Sequence, residues 1–343
     1  MITKYDEVCE RLRRTPGKWL VTGVAGFIGS HLLQKLLSLD QTVVGLDNFS
    51  TGYRKNLDQV KDLVAPAQWE RFRFIEGDIQ NLKCCVAACH GVDYVLHQAA
   101  LGSVPRSIED PIASNASNVN GFVAMCWAAH SEKVKSLVYA SSSAVYGDHP
   151  ALPKQEQAIG EALSPYAVTK LVNELYAGVF SRCYDLKLTG LRYFNVFGAR
   201  QDPAGAYAAV IPKWVAAMIR NEAIRINGDG ETSRDFCYIA NVVQANILAA
   251  TRSEDGAGSQ VFNVALDQRT TLNQLFGLLK GRLLPLYPHL RLVEPQLSPF
   301  RPGDVRHSQA DISLIRSALG YQPTHTVESG LDEALSWYRN NIA

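Results

Sequence analysis

The sequence has no run of about 18 consecutive apolar residues, so no segment can cross a bilayer as a helix. It has almost no excess charge. With 34 Lys+Arg against 33 Asp+Glu the formal net charge is +1, which gives no uniform field to draw in nucleic acid or an anionic membrane. The opening stretch MITKYDEVCERLRRTPGKW lacks the apolar centre of a secretory signal; it reads as a short surface helix turning Tyr5, Val8, Cys9 and Leu12 inward, and a cytoplasmic location is expected. The seven cysteines lack paired CxxC spacing, and Cys84-Cys85 with Cys89-His90 does not match a zinc site, so free thiols and no metal are expected. Internal repeats and low-complexity tracts are missing as well. What remains is 47% hydrophobic and 20% charged, a composition that buries enough apolar surface to offset the entropy of ordering.

At 343 residues the chain is long for one core, and ~150 residues per domain gives about two domains. From Lys18 onward, short apolar runs alternate with stretches of helical period: KWLVTG, FIGSHLLQKLLSL, TVVGLD, then FRFIEGD, VDYVLHQAA, VKSLVYASSS and LKLTGLRYFN. Strands that are apolar throughout and each followed by a helix must be covered on both faces. The expected class is therefore α/β, a doubly wound parallel sheet of Rossmann type with a smaller C-terminal α/β substrate domain. Residues 1–200 are assigned to the first domain and 201–343 mainly to the second, with segments near 239–265 returning to the first.

Gly23-Val-Ala-Gly26-Phe27-Ile28-Gly29 lies between the first strand and a helix, where a dinucleotide-binding turn needs residues without Cβ atoms and a helix end to meet the pyrophosphate. Asp47 closes the next strand, where a carboxylate accepts from both ribose hydroxyls and repels a 2′-phosphate, selecting NAD over NADP. Asp78-Ile79 follows the third strand and is placed to hold the adenine edge. Farther on, Ser164-Pro165 reads as a helix cap and first turn, which puts Tyr166 and Lys170 at i and i+4 on one face. A neighbouring ammonium, the helix N-terminus and an oxidised nicotinamide all favour phenolate, making Tyr166 a general base. Ser141-Ser142-Ser143 ends the fifth strand, the edge where open α/β sheets bind ligands.

With its GxxGxxG turn, LDN at 46–48, HQAA at 97–100, SSSAVYG at 141–147, SPYAVTK and RYFNVFG at 192–198, the chain resembles the extended short-chain dehydrogenase/reductase family. Within it, SRDFCYI at 233–239 and RPGDVRHSQAD at 301–311 are similar to the UDP-hexose 4-epimerases. ALGSVPRS at 100–107 and GAYAAVIPKW at 205–214 resemble most the bacterial epimerases of UDP-N-acetylglucosamine and UDP-N-acetylgalactosamine. The resemblance implies that Tyr166 is the base, Lys170 its electrostatic partner and nicotinamide-ribose anchor, and Ser142 the hydroxyl partner, with Ser143 close by. It extends the cofactor set to Asn48, Gly52, Gln98, Ala99, Ala100 and Tyr193. On the substrate side it places Asn195, Arg234 and Arg301 at the diphosphate, and Val210, Lys213, Trp214, Asn227 and Asp304 at the uridine end. Gly102, Ser103 and Ser308 join this set at the sugar.

The activity so implied is inversion at the sugar C4: Tyr166 takes the 4-hydroxyl proton, NAD takes hydride, and the 4-keto sugar turns and is reduced on its other face. Gly102 and Ser308 stand where relatives restricted to non-acetylated sugars carry Lys and Tyr, so smaller groups open room for a 2-acetamido substituent. Ala144 replaces a Ser or Thr of the nearest relatives. A homodimer built on a helix pair from each subunit is expected from the same resemblance. A 4,6-dehydratase would need an acid pair where Ser143-Ala144 stands. Two readings stay open: a uronic-acid 4-epimerase using Arg106, Ser103 or Arg200 on the carboxylate, and a non-catalytic NAD-binding regulator, which the Ser142, Tyr166, Lys170 set disfavours.

Overall fold

The computed structural model describes residues 2–203, 208–252, 258–300 and 305–342. Six apolar runs of the first 200 residues form strands β1 (Lys18–Thr22), β2 (Thr42–Asp47), β3 (Phe72–Glu76), β4 (Tyr94–His97), β5 (Ser136–Ser142) and β6 (Leu188–Tyr193). A seventh, β7 (Gln260–Val264), comes from far along the chain to pair with β6. The order across the sheet is β3-β2-β1-β4-β5-β6-β7, and every pairing is parallel. Successive side chains of a strand point to opposite faces, so the sheet divides two cores: β1 sends Trp19 and Val21 into one and Leu20 into the other. Strand order reverses between β1 and β4, the point at which an open α/β sheet leaves a crevice beyond its C-terminal edge.

Helices cover both faces. Helix α1 (Lys4–Arg14) buries Val8, Cys9 and Leu12, with a capping box between Thr3 and Asp6 at its start. Helix α2 (Phe27–Ser38) leaves the glycine turn directly, and α3 (Gly121–Ser131) follows one π turn at Ala116–Asn120. The 20-residue α4 (Pro165–Tyr184) carries Tyr166 and Lys170 in its first turns. Past Phe197 the strands other than β7 shorten to two or three residues. Helix α5 (Val210–Arg220) is followed by α6 (Ile239–Ala250), in which every residue but Ala240 is buried, because it returns to lie against α2 and the strands β4 to β7. Two-stranded pieces, Arg225–Asn227 with Gln296–Ser298 and Ser233–Arg234 with Thr270–Thr271, stand beyond the strand ends. All seven cysteines are free thiols, five of them buried. No helix among the described residues is long and apolar enough to cross a membrane.

Candidate active site

At the switch point the chain packs backbone on backbone. Gly23 holds φ at +66°, and a Cβ there would stand 2.8 Å from the Ala99 nitrogen; one on Gly29 would stand 2.1 Å from the Gly23 carbonyl oxygen. Gly26 is the N-cap of α2 and offers no side chain to its first N–H groups, which leaves them for an anion. Asp47 is 8% exposed; its Oδ2 accepts from Ala25 N at 2.9 Å and its Oδ1 from Phe49 N at 2.8 Å, while burial raises its pKa against those bonds. Gly23, Gly26, Phe27, Ile28, Gly29, Asp47, Asn48, Asp78, Ile79, Gln98, Ala99 and Ala100 line a cavity of about 460 Å³. Asn48 donates to Asp78 across it at 2.9 Å.

Apart from Tyr166 and Lys170, two residues of the expected cofactor set lie behind this lining. Gly52 packs against Ala25, 2.9 Å from where its Cβ would be, and Tyr193 donates its phenol to Gln98 at 3.1 Å and meets Asn246 on α6. They shape the wall rather than face the cavity. Ser50, Thr51, Ser117, Gln201 and Asp202 also belong to the lining without having been singled out in the sequence. The glycine cradle, the uncapped helix start and a buried acid placed for free ribose hydroxyls fit NAD.

The chemical end is built on the start of α4. Ser164 Oγ accepts from Ala167 N at 3.1 Å, and Ser107 Oγ accepts from Tyr166 N at 3.0 Å, so two serines satisfy the helix donors and fix Tyr166. Lys170 donates to the Ala140 carbonyl at 2.8 Å, with Nζ 5.9 Å from the Tyr166 ring centre. Burial pushes Lys170 down to about 8. Burial also raises the Tyr166 phenol, and the Ser142 hydroxyl beside it opposes the rise without overcoming it. Of these two influences on the phenol, loss of hydration is the larger.

The three serines divide their work. Ser141 donates to Glu174 at 2.6 Å, and Glu174 is held by a buried two-point pair with Arg192 at 2.9 and 2.7 Å. Ser142 accepts from Ala144 N at 3.1 Å, and Ser143 faces a second cavity of about 250 Å³. That cavity is also lined by Ala144, Asn195, Arg234, Ser308 and Lys154. A third, of about 810 Å³, is lined by Val210, Lys213, Trp214 and Asn227 and shares Asn195 and Arg234 with the second. Arg234 donates to the carbonyls of Ser233 at 3.0 Å and Arg306 at 3.2 Å, and Asn195 donates to the Asp235 carbonyl at 3.0 Å. Ser142, Tyr166 and Lys170 line none of the three cavities, although Ser143, Ser164 and Ala167 around them line the second.

Other sequence candidates fall elsewhere. Gly102 and Ser103 line the first cavity, not the second, and a Cβ on Gly102 would stand in open space. Asn118, inside the π turn, brackets Leu101 by accepting from its N–H at 2.7 Å and donating to its carbonyl at 3.1 Å, which holds the adjoining loop. Arg106 joins Ser103 at the first cavity, whereas Arg200 is buried against Gln34 at 2.7 Å. Arg301 and Asp304 lie outside the described residues. Lys154 was missed because LPKQE reads as a solvated loop; the fold buries its side chain, donates Nζ to the His149 carbonyl, and lowers its pKa by desolvation.

Known proteins resemble the chain along nearly its whole length. The UDP-glucose 4-epimerase of Mycolicibacterium smegmatis is 34% identical over 323 residues, 94% of this chain and 98% of the relative. Among solved structures, the UDP-N-acetylglucosamine 4-epimerase from Methanobrevibacter ruminantium, in complex with UDP-N-acetylmuramic acid, is 36% identical with a TM-score of 0.86, covering 95% of this chain and 99% of that one. The UDP-glucuronic acid 4-epimerase from Bacillus cereus, in complex with UDP-glucuronic acid and NAD, is 28% identical with a TM-score of 0.82, covering 94% and 99%. The family model matches residues 19–265, a span that holds the glycine cradle, Asp47, the Ser142–Tyr166–Lys170 set and Arg234, and the chain therefore belongs to the NAD dependent epimerase/dehydratase family.

Proposed function

We propose that this NAD-dependent UDP-sugar 4-epimerase interconverts UDP-N-acetylglucosamine and UDP-N-acetylgalactosamine. The observation that carries the reading is the neck between the second and third cavities. Asn195 and Arg234 line both, so a guanidinium and an amide stand between a space of about 250 Å³ suited to one pyranose and a larger one suited to a nucleoside. A diphosphate at that neck would be met by bidentate donors.

When bound, NAD supplies the reversible hydride acceptor for the sugar C4. Tyr166 holds the proton of the 4-hydroxyl and returns it. Ser142 keeps a hydroxyl beside the phenol, and Lys170, anchored on the Ala140 carbonyl, keeps a charge below it at neutral pH. Inversion requires the sugar to turn, and the second cavity presents the small side chains Ser143, Ala144 and Ser308. These support the acetylated substrate pair, since a Tyr at 308 would fill the space a 2-acetamido group needs.

Incubating the purified chain with UDP-N-acetylglucosamine and no added NAD should give a mixture with UDP-N-acetylgalactosamine by chromatography, and denaturation should release NAD. Accumulation of NADH in step with consumed sugar would overturn the reading. The assembly we propose is a homodimer. Val168, Leu175, Tyr176 and Val179 form an exposed apolar stripe on α4 that Ile108 and Ile112 extend on the helices packed beside it, and a second copy covers such a face isologously. Leu175→Glu with Val179→Glu should shift sedimentation from dimer to monomer.

A further inference from the structure

Asp235 is fully buried and belongs to none of the three cavities. Its two oxygens collect three backbone donors from two distant segments. Leu266 N reaches Oδ1 at 2.9 Å and Gln268 N reaches Oδ2 at 3.2 Å, both from the turn after β7, and Ala310 N reaches Oδ2 at 3.2 Å. Ala310 lies two residues after Ser308, and Arg234 immediately precedes Asp235. The same two segments are laced by backbone: Ser308 N donates to the Ser233 carbonyl at 3.0 Å, and Ser233 N to the Arg306 carbonyl at 3.0 Å. One carboxylate thus ties the strand carrying Arg234 to the segment carrying Ser308, and both to the edge of the sheet.

We propose that Asp235 is a positioning residue that sets the separation of Arg234 and Ser308, and thereby the affinity of the second cavity for the sugar; this rests on the UDP-sugar reading above. An ionised carboxylate offers strong acceptor sites to all three donors and turns no proton toward any of them. Asparagine would turn an NH₂ group toward at least one of them, and glutamate would force an extra methylene into a packed site. Burial pushes the Asp235 carboxyl up to about 7 against these bonds, with Asp267 adding repulsion from the turn after β7. The other titratable groups that face it, Cys237 on its own segment and Tyr321 from the C-terminal segment, are pushed further up by burial and stay neutral between pH 6 and 8. His307 meets the Ser233 hydroxyl, not the carboxylate, and its pKa is lowered. A proton arriving as pH falls through 7 therefore turns one oxygen into a hydroxyl, replaces charge-assisted bonds with weaker ones and loosens the tie.

The test is steady-state kinetics with UDP-N-acetylglucosamine on wild type and Asp235→Asn. At pH 8 the variant should show KM raised about tenfold with kcat within about twofold, and bound NAD retained. In wild type KM should climb severalfold from pH 8 to 6, and in the variant it should stay flat. An unchanged KM in the variant, or a wild-type KM flat over that range, overturns the proposal; if the variant does not fold, the wild-type profile alone decides. Wild type that turns over no UDP-sugar would sink the functional reading and this proposal with it, whereas normal turnover with unchanged KM sinks this proposal alone.

Discussion

The first cavity and the second are built on opposite plans. The first has a floor of backbone: the turns after β1, β2, β3 and β4 bring glycine and main-chain N–H groups to one edge, and later residues such as Arg106, Ser117, Gln201 and Asp202 only complete its rim. The second is made from side chains of segments spread from Val104 to Ser308. Those segments are held by buried polar groups: Asn263 donates to the carbonyls of Lys154 at 2.9 Å and Asp311 at 3.0 Å and accepts from Tyr146 at 2.7 Å, while Asp235 ties the other side. Where backbone packs on backbone, at Gly23 and Gly29, no added atom is tolerated, because a main chain cannot swing aside. A site built of side chains can change its ligand by one substitution while the fold survives.

Four substitutions or measurements would break or sharpen that contrast. Tyr166→Phe serves as its baseline, removing the proton carrier while leaving both cavities shaped; turnover should fall about 10³-fold with bound NAD unchanged, as read by rate and released nucleotide. Gly29→Ala attacks the backbone plan. Its Cβ would sit 2.1 Å from the Gly23 carbonyl oxygen, so denaturant unfolding should show a loss of about 3 kcal/mol and the purified chain should lose NAD. Ser308→Tyr attacks the side-chain plan, and should cut turnover of acetylated sugars by about 100-fold with UDP-glucose changed less than about threefold and stability unaltered. If Gly29→Ala were tolerated while Ser308→Tyr unfolded the chain, the two plans would be assigned the wrong way round.

The smallest effect concerns Lys170, which the wall between the two ends buries. Its folded pKa of about 8 lies below the ordinary lysine value, so between those values the unfolded chain binds more protons and stability rises with pH. Urea unfolding at pH 8 and pH 9 should show wild type gaining up to about 1 kcal/mol relative to Lys170→Met over that unit. An equal pH response in both chains would mean that the ammonium is not desolvated.

Strand and helix alternation, the glycine turn with Asp47 after it, and the Ser164-Pro165 cap that sets Tyr166 and Lys170 one turn apart could all be read from the chain alone. Each rests on neighbours within a few residues: side-chain period, missing Cβ atoms, and a cap followed by i, i+4 spacing. Tertiary structure decided that Gly52 and Tyr193 stand behind the wall of the first cavity, that Ser141 holds Glu174 while Ser143 faces the second cavity, that Lys154 is buried there, and that the Tyr166 phenol is raised. Those outcomes depend on which distant segments exclude water from a group and which carbonyls and amides they bring to it. A linear pattern contains no measure of either until the chain has closed on itself.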